Sequence, residues 1–253
     1  MNTPLTRWRR AGLIEPSVLV LAGMAALIAL GSWQMSRKAW KEGLIARIDA
    51  RAHAAPVPLS EALRQWRATG DVEYLHVSLR GGFQHARERH VFAVDERLGP
   101  GVHVYTPLET PEGELVFINR GFAPMPLKEP STRSAGQTEG QVTLAGLVRR
   151  PQPRGVFTPA SEPARNIFYW PDYAGMLAST RAAARLDLAP APFFVEADAE
   201  PAPSGGFPRA GVTRLTLPNR HLEYALTWYG LALALIGVFA AWAGSRLRSQ
   251  NHR

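Results

Sequence analysis

The sequence predicts a membrane protein in which a two-helix transmembrane hairpin, formed by an N-terminal and a C-terminal span, flanks an α+β, mainly antiparallel β, extramembrane domain. Two apolar segments, 16–35 and about 224–243, contain no charged residue. At 1.5 Å per residue, about 20 helical residues cross the roughly 30 Å hydrocarbon core of a bilayer. Between the segments, short strand-like runs follow one another with Gly and Pro in between, which is typical of antiparallel meanders.

The two spans divide the chain into five parts. Aromatic residues lie near the ends of both spans, where amphipathic rings favour the lipid headgroup level; these are Trp33, Tyr224, Trp228, Tyr229 and Trp242. The predicted parts are an N-terminal tail 1–15, a first span 16–35, an extramembrane domain 36–220, a second span 221–243 and a C-terminal tail 244–253.

The first span also has features of a cleavable secretory signal. Arginines at 7, 9 and 10 precede the apolar run, and Ala29-Leu30-Gly31 resembles a cleavage site. The run continues to Met35, however, beyond the roughly 7–15 residues of a usual signal core, so we expect a retained anchor. The residues before it do not resemble a Ser-rich amphipathic transit peptide, which favours a bacterial plasma membrane protein.

Periodicity and punctuation predict the elements of the central domain. Helices are expected at 39–50, 59–67 and about 172–186, with Pro171 suited to the first turn of the last one. Strands are expected at 74–80, ended by Gly81-Gly82, and at 91–94, 102–107, 115–119, 142–148 and 193–197. The Pro-, Arg- and Gly-rich stretches 149–165 and 199–211 are expected to be loops.

Charge argues against a nucleic-acid partner. The formal net charge is +8, but 36–220 holds 23 Lys/Arg against 19 Asp/Glu, and the rest of the excess flanks the spans. No basic stripe interleaved with aromatics is present.

Orientation is not decided by charge: arginines at 7, 9, 10, 246, 248 and 253 mark the termini as cytoplasmic, but basic residues at 37, 38, 41, 47, 214 and 220 lie beyond the other ends of the spans.

The residue types exclude several chemistries and predict that the protein is not an enzyme. The chain has no cysteine, which excludes disulfides, thiolate metal sites, thiol nucleophiles and covalent haem attachment. No nucleophile elbow, zinc-protease helix, phosphate-binding loop or dinucleotide-binding turn occurs. His85 and His90 are five apart in a predicted hairpin turn, where a solvated turn is favoured over a metal site.

The stretch Asn119-Arg120-Gly121 follows a predicted strand. Glycine allows a turn there, and Arg120 could pair with an acid. We interpret these residues as a strand-to-turn device.

Four separated motifs resemble the Surf1/Shy1 family of cytochrome c oxidase assembly proteins. They are GSWQMSRKAWKEGLIARI at 31–48, VYTPLETPEGELVFINRGF at 104–122, NIFYWPDYAGM at 166–176 and LPNRHLEYALTWYGLA at 217–232. The resemblance covers nearly the whole chain, in order and with both spans in place. It departs from the family pattern at Phe122, where most members are expected to have Trp.

The resemblance implies a bacterial inner-membrane hairpin with a periplasmic domain and both termini in the cytoplasm. It also implies a role in the maturation of haem-copper terminal oxidases, with the oxidase catalytic subunit, haem a synthase and membrane lipids as partners and a homo-oligomer as one further possibility. Some bacterial members of the family are reported to bind haem a.

His221 begins the second span and is the candidate haem ligand. On residue type alone it could equally be an interfacial polar residue that reaches water beside Arg220. The resemblance favours a ligand to haem iron, for which neutral imidazole is a common axial donor. Helical spacing places His221 on one face with Tyr224, Ala225, Trp228 and Ala232.

The outer end of the first span is expected at the same depth, since the domain joins the two outer ends. Trp33, Gln34 and Arg37 lie there, and a macrocycle between the helices could direct its propionates to Arg37, Lys38 or Arg220. Snorkelling and helix capping are equally ordinary roles for Gln34 and Arg37. Glu223, on the opposite side of the helix, is expected to be a salt partner.

These features predict an assembly factor for a haem-copper oxidase that binds haem a through His221. The alternative is a cofactor-free membrane scaffold that stabilises an oxidase assembly intermediate through its central domain.

Overall fold

The computed structural model describes residues 4–182, 188–213 and 218–250. The chain divides into two compact units: Met1–Arg47 together with Thr216–Arg253, and Ile48–Leu215. The predicted fold class is confirmed, because two long apolar helices flank a domain built on a mostly antiparallel sheet.

The first unit is a helical hairpin. A short helix, α1 (Pro4–Arg10), precedes the long helix α2 (Ile14–Ala52), and α5 (His221–Gln250) returns antiparallel to α2. By length and composition, Ile14–Ala52 and His221–Ser249 are both long and apolar enough to span a membrane. As predicted, α2 continues as a helix beyond the first span.

The described part of the second unit contains seven strands, of which five form a closed ring. The strands are β1 (Val57–Pro58), β2 (His76–Phe83), β3 (Arg89–Asp95), β4 (Gly99–Glu109), β5 (Glu114–Pro124), β6 (Gln141–Arg149) and β7 (Ala189–Ala197). Their order is β1-β2-β6-β7-β5-β4-β3, and β2 also pairs with β4, which closes the ring. Most pairings are antiparallel as expected, but β1–β2 and β5–β7 are parallel.

Apolar side chains fill the ring and the space beneath helix α3 (Leu59–Thr69). A second cluster includes Phe168, Met176 and Phe194 and lies beside helix α4 (Tyr173–Ala182). Helix α4 begins two residues after Pro171, with Asp172 Oδ1 accepting from the Gly175 amide at 3.0 Å. The predicted end of this helix, 183–186, lies outside the described residues.

Two sequence expectations about strand ends are wrong. Gly81 and Gly82 do not end β2 but lie inside it, because β2 and β4 approach each other so closely that a Cβ on Gly81 would be 2.4 Å from the Glu109 carbonyl oxygen. Likewise, Asn119, Arg120 and Gly121 are not a turn but lie within β5.

The Asn119-Arg120-Gly121 stretch forms a β-bulge. His103 pairs with Phe122 and Tyr105 with Asn119, so two residues of β5 oppose one residue of β4. Gly121 has φ of +107°, and its amide donates to Asn119 Oδ1 at 3.0 Å. The glycine supplies backbone freedom, as the sequence suggested, but for a bulge rather than for a turn.

Candidate functional site

The hairpin packs through small residues, and this packing positions His221. Ala225 and Ala232 of α5 are buried, and so is Gly31 of α2. A Cβ on Gly31 would lie 2.5 Å from the ring of Tyr229. Such close approach of small residues is the usual way in which membrane helices pack.

The polar centre of the hairpin is the pair formed by His221 and Gln34. His221 Nδ1 lies 2.7 Å from Gln34 Oε1, and both side chains are half-buried. Because an amide oxygen can only accept, Nδ1 carries the proton and donates. Nε2 is the other ring nitrogen, and the described residues provide no hydrogen-bond partner for it. A histidine fixed through one nitrogen by an amide or carboxylate oxygen has the usual arrangement of a metal-ligating histidine.

The sheet domain uses its histidines differently. Three of them have both ring nitrogens engaged: His76 with Ala54 O and Asp198, His85 with Thr138 O and Arg120, and His90 with Glu88 and Asn166. His53 is exposed in the turn that follows α2, and His103 of β4 has a buried Nδ1 without a hydrogen-bond partner among the described residues. Among the described histidines, His221 of the hairpin combines three features. It is half-buried, its ring is fixed by one hydrogen bond, and its other nitrogen has no hydrogen-bond partner.

The neighbourhood of His221 is cationic and aromatic. The Lys41 ammonium donates to the Pro218 carbonyl oxygen, which ties α2 to the start of α5. Arg220 forms an ion pair with Glu223 at 2.7 Å, so Glu223 is a salt partner as predicted. Arg37 stacks on Trp40, with its guanidinium carbon 4.3 Å from the ring centroid, and no described carboxylate lies within 4.0 Å of it.

The other predicted site residues lie around this pair. Trp33 and Tyr224 are 55% and 52% exposed, Arg37 is exposed, and Trp228 is half-buried between them and the hairpin interface. At about 100° per residue, Trp33 and Arg37 turn from Gln34, and Tyr224 turns from His221, toward the same side of the antiparallel pair. That side is an aromatic surface with one cation and the His221–Gln34 pair at its base.

The family model described as the SURF1 family matches residues 21–233. The chain belongs to the SURF1 family. It is 37% identical over 225 residues to Surfeit locus protein 1 of Mus musculus, which covers 83% of this chain and 70% of that protein. It is 35% identical over 233 residues to the protein of the same name from Homo sapiens, covering 86% and 73%. A SURF1-like protein of Monosiga brevicollis is 36% identical over 233 residues, covering 88% and 84%.

This SURF1 family member also buries a charged cluster in its sheet domain that the sequence did not indicate. Glu88 and His90 are each 3% exposed and Arg133 is 5% exposed. Glu88 Oε1 accepts from His90 Nε2 at 2.7 Å and pairs with the Arg133 guanidinium. Burial raises the pKa of Glu88, but the hydrogen bond from His90 and the charge of Arg133 outweigh it, so the pKa lies below its usual value.

The expectation that His85 and His90 lie in a solvated turn is therefore wrong for His90. His85 begins a short 3₁₀ helix, His85–Arg87, and His90 lies in β3 with its ring turned into the charged cluster. Both ring nitrogens of His90 are engaged by protein groups, while Glu88 Oε2 and Arg133 Nη1 are buried without a hydrogen-bond partner among the described residues. Within the part of the chain that the structure describes, no group of three or more His, Asp or Glu side chains is placed to hold a metal ion.

The sequence could have indicated some of what it missed. Arg37 and Trp40 are three residues apart on one helix, the spacing at which side chains meet. The contact of Lys41 with a carbonyl oxygen 177 residues away has no local sequence signal. Arg133 lies in an irregular 3₁₀ segment, Pro130–Gly136, and its burial follows from folding over the sheet rather than from any periodicity.

Proposed function

We propose that this protein assists the assembly of a haem-copper terminal oxidase and that it holds haem a, as cargo, through His221 at the outer edge of the membrane. The observation that supports this most is the His221 ring fixed by Gln34 with its Nε2 unengaged. Membership of the SURF1 family supports the oxidase role, and the relatives named above carry no enzyme name.

The residues present fit such a cargo. Imidazole nitrogen is a common axial donor to haem iron, and the hydrogen bond to Gln34 orients the ring. Trp33, Tyr224 and Trp228 offer aromatic surface to a macrocycle, and Arg37 offers a guanidinium to a propionate. Arg220 is already paired with Glu223, so Arg37 is the better propionate partner of the two.

The proposal includes a location and partners. We place the chain in a bacterial inner membrane with both termini in the cytoplasm and the sheet domain in the periplasm. The nascent catalytic subunit of the oxidase would receive the haem, and haem a synthase would supply it. Membrane lipids surround the hairpin, and a second copy of the chain is a possible additional partner.

Oxidase assembly in cells that lack the chromosomal gene tests this function. Cells complemented with the wild-type chain should contain assembled oxidase with its full haem a content. His221→Ala should reduce that content strongly at equal membrane levels of the protein, whereas the exposed His53→Ala should not. Unchanged oxidase haem content with His221→Ala would contradict haem delivery through this residue.

The cofactor-free scaffold is the second candidate. The sheet domain favours it, because Ile48–Leu215 is a compact unit of its own with a buried charged cluster and a bulged strand β5. A scaffold predicts that His221→Ala restores assembly fully, while substitutions in 102–122 that leave the fold intact abolish it.

A further inference from the structure

A cavity of about 360 Å³ lies in the sheet domain beside β6 and the segment that follows β7. Its wall is about half apolar, and the apolar part includes Phe83, Val142, Leu144, Ala145, Pro201 and Ala202. Arg120 also lines it. A cavity that combines an apolar wall segment with a convergent cation is a usual form of a small-molecule site.

Arg120 has no acidic partner. The residue is 6% exposed, and no carboxylate among the described residues lies within 4.0 Å of its guanidinium. Its Nη2 donates to the Gly136 carbonyl oxygen, its Nη1 lies 3.3 Å from His85 Nδ1, and its guanidinium carbon lies 4.8 Å from the Phe83 ring centroid. These contacts orient the side chain, but none of them neutralises its charge.

The nearby carboxylate whose charge raises the pKa of Arg120 is that of Glu88, and it already pairs with other side chains. Glu88 pairs with Arg133 and accepts from His90. Burial, and then the positive charge of Arg133, lower the pKa of Arg120 to about 10, so the side chain remains charged at neutral pH. A buried charge without a counter-charge is costly, and folded proteins usually compensate it.

Two further acids line the cavity, and they narrow the class of ligand. Asp198 accepts from His76 Nε2 at 2.8 Å, and Glu200 Oε2 lies 3.3 Å from the Ala202 amide. Neither lies within 4.0 Å of Arg120. Their negative charge opposes multiply charged anions such as phosphates and leaves room for one carboxylate on an otherwise neutral body.

We propose that this cavity binds an apolar monocarboxylate, with the carboxylate paired to Arg120 and the apolar body against β6 and Pro201–Ala202. A bidentate guanidinium–carboxylate pair suits a buried arginine. Two sources share this chemistry: a short fatty acid and the C-terminal carboxylate of an apolar peptide. The inference is independent of haem binding, because every residue that it uses belongs to the sheet domain.

Isothermal titration of the full chain in nanodiscs tests the proposal, with empty nanodiscs as the blank. The probes are 3-phenylpropanoate and its uncharged, equally shaped amide, 3-phenylpropanamide. We expect saturable binding of the acid and at least about tenfold weaker binding of the amide, because the charged pair is absent. Equal affinities, or no saturable binding of the acid up to about 10 mM, a concentration at which even millimolar affinity is detected, would overturn the proposal.

Variants identify the site. Arg120→Gln should reduce the affinity for the acid to that for the amide, and Ala202→Trp, on an exposed segment, should block the cavity and remove binding of both. Arg80→Gln, which changes an exposed arginine of β2 outside the cavity, should change nothing. If Arg120→Gln does not fold, Ala202→Trp together with the acid–amide comparison on the wild-type chain decides the question. Undiminished binding of the acid to folded Ala202→Trp would contradict this location.

Two further probes distinguish the sources. Hexanoate represents a fatty acid, and N-acetyl-leucyl-leucine with a free carboxylate represents a peptide terminus. Competition of either with 3-phenylpropanoate supports the site and identifies its source by the tighter probe. If 3-phenylpropanoate binds and neither probe competes with it, both proposed sources of the carboxylate are wrong.

Discussion

His90 in the sheet domain has both ring nitrogens engaged by protein groups, whereas His221 in the helical hairpin has one nitrogen fixed and the other unengaged by any described residue. The two rings have the same chemistry and differ in their surroundings. In the sheet domain, Glu88 and Asn166 engage both nitrogens of the His90 ring, and Arg133 pairs with Glu88. In the hairpin, Gln34 only orients its histidine. A histidine ring that is oriented through one nitrogen, and whose other nitrogen has no hydrogen-bond partner, remains available to a ligand.

The largest expected effect comes from breaking the buried ion pair between Glu88 and Arg133. Glu88→Gln leaves the charge of buried Arg133 without compensation, and breaking a buried pair in this way typically costs about 3–5 kcal/mol. Hydrogen exchange of the full chain in nanodiscs should show faster exchange in β3 and β4 with α2 and α5 unchanged. Glu112→Gln, in the exposed turn before β5, is the matched control and should leave exchange in β3 and β4 unaltered. Wild-type protection in Glu88→Gln would show that the cluster is not structurally important.

The next-largest expected effect concerns Gln34, which orients the His221 ring through Nδ1 and leaves Nε2 unengaged. Gln34→Leu removes the acceptor that fixes His221, and loss of such a supporting hydrogen bond typically lowers metal affinity 10- to 100-fold. A titration of haem a followed in the visible spectrum should show weaker binding with Gln34→Leu, and Met35→Leu, one residue away, should bind like the wild type. Equal affinity in both variants would show that Gln34 does not support the ligand.

A smaller effect, on the pH dependence of stability, follows from the buried side chain of His103. Burial lowers the pKa of His103 below its ordinary value of 6.5, so the unfolded chain takes up a proton there before the folded chain does. Stability should therefore fall as the pH drops below about 6.5, and level off below the folded pKa. Glu88, whose pKa is also lowered, adds a loss only in the more acidic range, below its ordinary value of 4.5.

Hydrogen exchange in β4 between pH 7 and pH 5, corrected for intrinsic rates, measures this dependence. His103→Gln should flatten the profile in that range in part, because burial also lowers the pKa of His85 and that contribution remains. Identical profiles for His103→Gln and the wild type would exclude His103 as the source.

The smallest effect tests the hairpin packing. Gly31→Ala places a Cβ against the Tyr229 ring, whereas nothing described lies within 4 Å of a Cβ on Gly230. Overpacking typically costs about 1–3 kcal/mol, and the ring of Tyr229 can yield, so we expect the lower end. Steric trapping of the hairpin should show Gly31→Ala to be less stable than Gly230→Ala. The reverse order would mean that the helices do not pack through Gly31.

The comparison also shows what could be predicted from the sequence. Uninterrupted apolar length predicts both long helices, and the spacing of His221, Ala225, Trp228 and Ala232 predicts a common face. Tyr224, which the same spacing places on that face, is 52% exposed. In the hairpin, periodicity and depth determine which residues meet, so Gln34 and His221 could be placed at one level from the sequence.

The sheet domain was predicted less completely, for a physical reason. Strand runs were found, but β2 and β5 extend through glycines that usually end strands, because ring closure and a bulge require them. The Glu88–Arg133 pair joins residues 45 positions apart, and Arg120 meets His85 across 35 positions. Such contacts depend on sheet topology, which local periodicity does not encode.

The visible absorption spectrum of the purified full chain, from cells able to make haem a, tests the central claim most directly. The wild type should show Soret and α bands, and His221→Ala should lose them while it remains folded and membrane-inserted. His53→Ala, which removes an exposed histidine of the turn after α2, should keep both bands. Bands of equal intensity in His221→Ala, or no haem in any of the three proteins, would contradict His221 as the ligand.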